Sequence, residues 1–158
     1  MSEIHTMAGH LIRRLNQISV AIFADRMAEI EAEITPVQFA ALTMIRENPG
    51  IDQASLARAI AYDKATIGGV VDRLAAKSLI LRQQSKTDRR ARALAITPKG
   101  DALLDHIGPT VRALQDDILI GLDDDEKKQL VTLLGKTATA GNTRSRAPLT
   151  LRPDQSKA

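Results

Sequence analysis

Apolar side chains recur at helical spacing along most of this chain, and the pattern breaks at one place, residues 79–97. There two short stretches, LILRQQS (79–85) and RALAIT (92–97), alternate apolar and polar residues as strands do. Between them lies Lys86-Thr87-Asp88-Arg89-Arg90-Ala91, polar and basic. The pattern predicts one β-hairpin with a charged tip, set among helices. That combination narrows the fold more than any other feature of the sequence.

The helices around it read as follows. Residues 8–33 form a long helix, with Leu11, Leu15, Ile18, Ile22, Met27 and Ile30 mostly three or four apart. Val20, Ala21 and Phe23 widen its stripe, so the helix needs several partners and suggests an interface between chains. Thr35-Pro36 starts a second helix, carried on by Phe39, Leu42, Thr43 and Ile45 and stopped by Asn48-Pro49-Gly50. Asp52 caps a short helix over 52–63, with Leu56, Ala57 and Ile60 inward. Asp63 caps the next, residues 64–80, with Ile67, Val70, Val71, Leu74 and Leu79 at helical spacing. Inside it Gly68-Gly69 costs about 1 kcal/mol per glycine relative to alanine. Small residues there serve close helix crossing or close approach to DNA, or are simply tolerated. Thr97-Pro98 opens a long helix over 98–121, in which Ile107, Val111, Leu114 and Ile118 form a packing seam. Gly108-Pro109 is expected to kink it. Asp123 and Glu126 make a capping box for a last helix to about Ala140, with Leu130, Leu133 and Leu134 inward. Residues 141–158 are polar and are expected to be a disordered tail.

Composition excludes several functions. A chain of 158 residues with 44% apolar content supports one domain, or a domain plus an arm. Its aromatic residues are Phe23, Phe39 and Tyr62, so the core is aliphatic. So few stacking platforms also argue against single-stranded nucleic acid as partner. There is no cysteine, which removes disulfides, thiolate metal sites and cysteine nucleophiles and suits a cytoplasmic protein. The first twenty residues lack the order of a secretory signal, and no apolar run is long enough to span a membrane. No nucleophile elbow, phosphate loop, His-Glu metal motif or dinucleotide signature occurs, so no enzyme activity and no cofactor are expected. Asp101, Asp105 and His106 read as a solvated acidic face rather than a metal site, and His5 lies in an end expected to be flexible.

Charge is segregated. Residues 82–99 carry six basic side chains against one acid, and residues 101–126 carry eight acids against Arg112. One surface is therefore suited to a polyanion and another faces away from it. Two short helices joined by a tight turn, followed by a basic hairpin, make a winged helix-turn-helix. The second helix of such a pair enters the major groove, and its first residues, here Lys64, Ala65, Thr66, Ile67 and Gly68, meet base edges. Arg73 further along the same helix is also assigned to the DNA face. Gln53 and Ser55 suit phosphate contacts, as does Lys86 of the hairpin. Arg89, Arg90 and Arg92 at the tip suit a narrow minor groove, where a guanidinium senses negative potential.

These pieces resemble the MarR (multiple antibiotic resistance regulator) family. The resemblance is carried by ITPVQFAAL (34–42), SLARAIAYDKATIGGVVDRLAAKSLILR (55–82) and KTDRRARALAITPKG (86–100), and covers roughly residues 8–140. Asp88-Arg89-Arg90 with Leu94-x-x-Thr97-x-x-Gly100 is the most specific part. The resemblance implies a mainly α fold with a small β-wing and a triangular homodimer. Residues 8–33 and 98–140 would be dimerisation helices, and 34–97 the DNA-binding domain. It implies that Arg90 is the wing-tip arginine, that Asp88 positions the loop, and that Asp72 anchors the wing through an Asp–Arg pair. The Gly68-Gly69 pair departs from the family pattern, so base preference does not carry over.

The function expected is a sequence-specific regulator binding a pseudo-palindromic site on double-stranded DNA, a repressor released by a small ligand. A ligand-independent architectural protein and a protein-interaction module of the same fold are the alternatives. The resemblance implies an aromatic acid as effector. His10 and Arg14 share a helix face beside Leu11, Leu15 and Ile18, and with Arg13 they could receive a carboxylate-bearing ring. Surface exposure, or pairing with acids of a second chain, explains the same three residues.

Overall fold

A computed structural model describes residues 2–84 and 92–150, with Arg92 described through its backbone alone. A 3₁₀ turn at Glu3–Thr6 leads into α1 (Ala8–Glu29), followed by α2 (Pro36–Glu47), β1 (Ile51–Asp52) and α3 (Gln53–Ala59). Then come α4 (Ile67–Ala76), β2 (Ile80–Gln84), β3 (Arg92–Ile96), α5 (Pro98–Ile118) and α6 (Asp124–Gly141). A last 3₁₀ turn spans Asn142–Arg144.

Side-chain chemistry sets the ends of these elements. Thr35 and Gln38 exchange a capping box at the start of α2, with Pro36 in the first turn. Asp123 and Glu126 do the same for α6, as the sequence suggests. Helix α1 stops at Glu29 rather than at residue 33. Glu31 takes φ +54° and the Ala32 N–H returns to the Met27 carbonyl at 2.9 Å, which turns the chain so that Ala32 and Ile34 join the core. Likewise α4 begins at Ile67, not Lys64, and the three residues before it form the approach turn.

One core unites the elements. Phe23 and Met27 of α1, Leu42 and Ile45 of α2, and Leu56 of α3 meet Ile67, Val70, Val71 and Leu74 of α4. Leu104, Ile107, Val111 and Leu114 of α5 close it. The sheet is three-stranded and antiparallel, in the order β1-β3-β2. Strand β1, with Ile51 opposite Leu94, was not visible in the sequence, because two residues carry no periodicity. Gly50, at φ +85°, makes the turn that brings its N–H to the Leu94 carbonyl. The β2–β3 hairpin pairs Ile80 with Ile96 through Gln84 with Arg92, and this is the expected wing.

Helix α5 is tied to the end of α4. Thr97 caps it, accepting the Gly100 N–H at 3.0 Å, while its hydroxyl donates to the Ser78 carbonyl at 2.7 Å. Gly100 lies against the Leu79 carbonyl so closely that a Cβ would collide with backbone. The helix runs unbroken through Pro109. Arg26 of α1 spans to Asp117 of α5 at 2.8 Å.

Two expectations are corrected. Leu133 and Leu134 do not face this chain's core: both are exposed, and α6 buries no side chain. Residues 142–150 are not a free tail either, because Asn142 and Leu149 exchange two hydrogen bonds and the segment returns to α3. Residues 151–158 lie outside the described residues. Gly100→Ala is expected to destabilise the fold by about 1–3 kcal/mol through overpacking against backbone, read as a lower urea midpoint.

Candidate DNA interface

Asp52 organises the front of α3. Its carboxylate accepts the Ser55 N–H at 2.8 Å and the Ser55 hydroxyl at 2.6 Å, and Arg58 donates to that same hydroxyl oxygen at 3.0 Å. Burial works against the Asp52 charge. The Ser55 hydroxyl and N–H, the Ala54 N–H and the Arg58 charge together outweigh it and hold the carboxyl below its ordinary 3.8. Ser55 is thus a structural partner at the helix start, and Gln53 beside it stays half-buried.

The approach to α4 is built on Asp63, whose carboxylate accepts the Ala65 N–H at 2.8 Å and whose carbonyl accepts the Thr66 hydroxyl at 3.1 Å. Lys64, Ala65 and Thr66 are all exposed. Behind them, Ile67, Val70, Val71 and Leu74 are essentially inaccessible and pin one face of α4 in the core. The glycines differ. A Cβ on Gly68 would stand 3.4 Å from the Gln53 amide nitrogen, an ordinary contact with the end of a flexible side chain. A Cβ on Gly69 would meet nothing within 4 Å, so no contact within the described residues requires glycine there.

Asp72 on α4 pairs with Arg82 on β2, joining the reading helix to the wing. The sequence indicated an arginine partner for Asp72 without naming it. Arg82 faces Leu94 across the sheet, a register that the alternation of 79–85 defines only once β3 is paired. Arg73, further along α4, is exposed and also borders a cleft of about 550 Å³ that includes Glu31, Glu33 and Lys77. Lys86, Asp88, Arg89 and Arg90 lie outside the described residues, as does the Arg92 side chain.

The three residues considered for a ligand sit on the exposed half of α1. Arg13 donates to Gln17 at 3.0 Å and lies 3.5 Å from His10 Nδ1, while Arg14 is exposed. His5 stands in the first 3₁₀ turn with its ring edge-on to His10, 5.6 Å between centroids. A cavity of about 330 Å³ lies instead between α2 and α5, lined by Phe39, Thr43, Arg46, Asp105 and Arg112 among others. Arg46 donates to Asp105 at 2.9 Å on its border, and the Thr43 hydroxyl is buried with no partner among the described residues. Sequence reading missed this cavity because it arises where two helices meet. No group of three or more potential metal ligands occurs among the described residues.

A helix held in the core by one face, with an exposed start and a hairpin clamped beside it, defines a winged helix-turn-helix transcription regulator. Residues 34–91 match the MarR family. The chain is 33% identical to the HTH-type transcriptional repressor NicR of Pseudomonas putida over 134 residues, covering 85% of this chain and 84% of NicR. It is 36% identical over 131 residues to a putative transcriptional regulatory protein for the hcr operon of Thauera aromatica, covering 82% and 79%. Its fold is similar to that of Bordetella bronchiseptica BpsR, whose DNA binding is regulated by 6-hydroxynicotinic acid: TM-score 0.80, 30% identity, 87% of this chain and 97% of BpsR. The chain belongs to the MarR family.

The Asp52 cap makes a pH prediction. Its folded pKa lies below the unfolded value, so its stabilisation is present above about pH 4 and is lost as pH falls through the lower folded value. The stability gap between the protein and Asp52→Asn should therefore shrink as acid is added below pH 4, measured by urea midpoints from pH 7 to 2.5.

Proposed function

We propose that this protein is a cytoplasmic repressor that binds a pseudo-palindromic site on double-stranded DNA as a homodimer and is released by a small aromatic acid. It acts by binding, not by catalysis. The observation that carries the reading is the presentation of Lys64-Ala65-Thr66: three exposed residues at the head of a helix whose other face is locked in the core. Lys64 and Thr66 would supply base or phosphate contacts, with Gln53 at the flank and Arg73 and Lys86 beyond. Arg89, Arg90 and Arg92 would enter the minor groove, with Asp88 shaping the loop and the Asp72–Arg82 pair fixing the wing's angle.

The dimer is supported by apolar side chains that the chain leaves uncovered. Leu11, Ile12, Leu15, Ile18 and Val20 of α1 are exposed, as are Val131, Leu133 and Leu134 of α6. Two helices with bare apolar faces bury them in a partner copy. A two-fold dimer then sets its reading helices about 34–36 Å apart, one duplex turn.

For the effector, the α2–α5 cavity offers an apolar wall at Phe39, a Thr43 hydroxyl without a partner among the described residues, and the guanidinium of Arg112. That set suits an aromatic ring bearing a carboxylate. His10, Arg13 and Arg14, on the α1 face that a partner copy would cover, are the second place for it. BpsR and its 6-hydroxynicotinic acid make this class the first to try. The ligand releases DNA to the extent that it prefers a dimer of different helix spacing.

Titration of a selected duplex, followed by anisotropy, tests the reading. Affinity should fall steeply with salt, the log–log slope gaining about 0.9 for each phosphate contacted, and a flat slope would remove DNA as partner. Arg90→Ala should weaken binding by about 1–3 kcal/mol. Thr43→Val with Arg112→Ala should abolish the response to 6-hydroxynicotinic acid while DNA binding persists. An unchanged response would move the effector to the His10 face.

A further inference from the structure

The bend between α3 and α4 is strained. Ala61 takes φ +51°, a left-handed conformation that costs a non-glycine residue about 1 kcal/mol or more. Helix α3 has only seven residues, too few to hold itself in water. This bend carries the Lys64–Thr66 turn, so its geometry decides where the reading helix begins.

The segment after α6 reaches the bend from both sides. Before it, the Thr150 N–H donates to the Arg58 carbonyl at 3.0 Å, at the C-terminal end of α3. After it, Arg146 donates to Asp63 Oδ2 at 3.0 Å, while Asp63 Oδ1 holds the Ala65 N–H. The strap is closed on itself: the Asn142 amide donates to the Leu149 carbonyl at 2.9 Å and accepts the Leu149 N–H at 2.8 Å. Within this ring Ser145 accepts the Ala147 N–H, and Pro148 restricts the backbone. Ala147 and Leu149 stand with Ala61 and Ala138 around one cleft, so the strap and the strained residue face the same space.

We propose that residues 142–150 form a positioning strap that fixes the α3–α4 bend and thereby sets the reading helix for DNA. Arg146 and Asn142 act through Asp63 and the closed loop, not by touching DNA. An exposed ion pair alone contributes little to stability. The effect comes from two attachments flanking one strained hinge and is felt in geometry more than in unfolding free energy. The proposal rests on the DNA-binding reading above.

The test uses the full chain with Asn142→Ala and Arg146→Ala combined, Arg146→Lys as the conservative variant, and a labelled duplex selected with the unmodified protein. With secondary structure and oligomeric state unchanged, the double variant should lose about 3- to 30-fold in affinity, the range typical of coupling through a connecting element. Its salt slope should stay the same, and amide exchange at Ala65 and Ile67 should quicken. Arg146→Lys should recover most of the loss. Unchanged affinity and exchange would overturn the strap. So would a salt slope lower by about 0.9, because Arg146 would then be a phosphate contact. Should the unmodified protein bind no duplex, the functional reading fails, and exchange at Ala65 still decides whether the strap holds the bend.

Discussion

Everything at the DNA face depends on the burial of one side of α4. Ile67, Val71 and Leu74 are fully inaccessible and Val70 nearly so. Burying such side chains contributes roughly 1.5–3 kcal/mol each, which is why a ten-residue helix with two glycines forms at all. With that face committed, rotation of α4 about its axis is fixed, and the opposite face has only solvent or a ligand to meet. The wing inherits its direction from the same helix through Asp72 and Arg82. The long helix α5 is referred to it through Thr97, Ser78 and Leu79.

If the α2–α5 cavity receives the effector proposed above, this arrangement would link it to the wing and the reading helix. The α2–α5 cavity touches both the core and the helix that leads away from the wing. The Arg46–Asp105 pair bridges the same two helices. A ligand wedged there would press on α5, whose first turn at Gly100 has no slack against the Leu79 carbonyl. Movement would then reach the hairpin and the reading helix as a rigid displacement. Tight packing transmits such a shift, because a close-packed interior has no soft layer to absorb it.

Much of this was legible in the sequence, for identifiable reasons. Capping residues Thr35, Asp52, Thr97 and Asp123 announce their helices because the hydrogen bonds are local. The hairpin was legible from alternation. Less was readable where partners are distant in sequence. Strand β1 exists only by pairing with Leu94 and Ala93. The start of α4 slipped from Lys64 to Ile67 because Asp63 bonds Ala65 and folds a turn first. Leu133 and Leu134 have helical spacing, but spacing cannot say which chain they face. The polar composition of 142–150 concealed an ordered segment, since its order comes from the reciprocal Asn142–Leu149 bonds and not from apolar burial.

In the dimer, two copies of one fixed helix, each with its wing, would read one side of a duplex. Hydroxyl-radical footprinting on DNA selected from the regulator's own upstream region measures that arrangement directly. Two protected half-sites related by two-fold symmetry are expected, centred about 10–10.5 base pairs apart or a multiple of it, with flanking minor-groove protection from the wings. A single unsymmetrical footprint, or protection confined to single-stranded DNA, would contradict it.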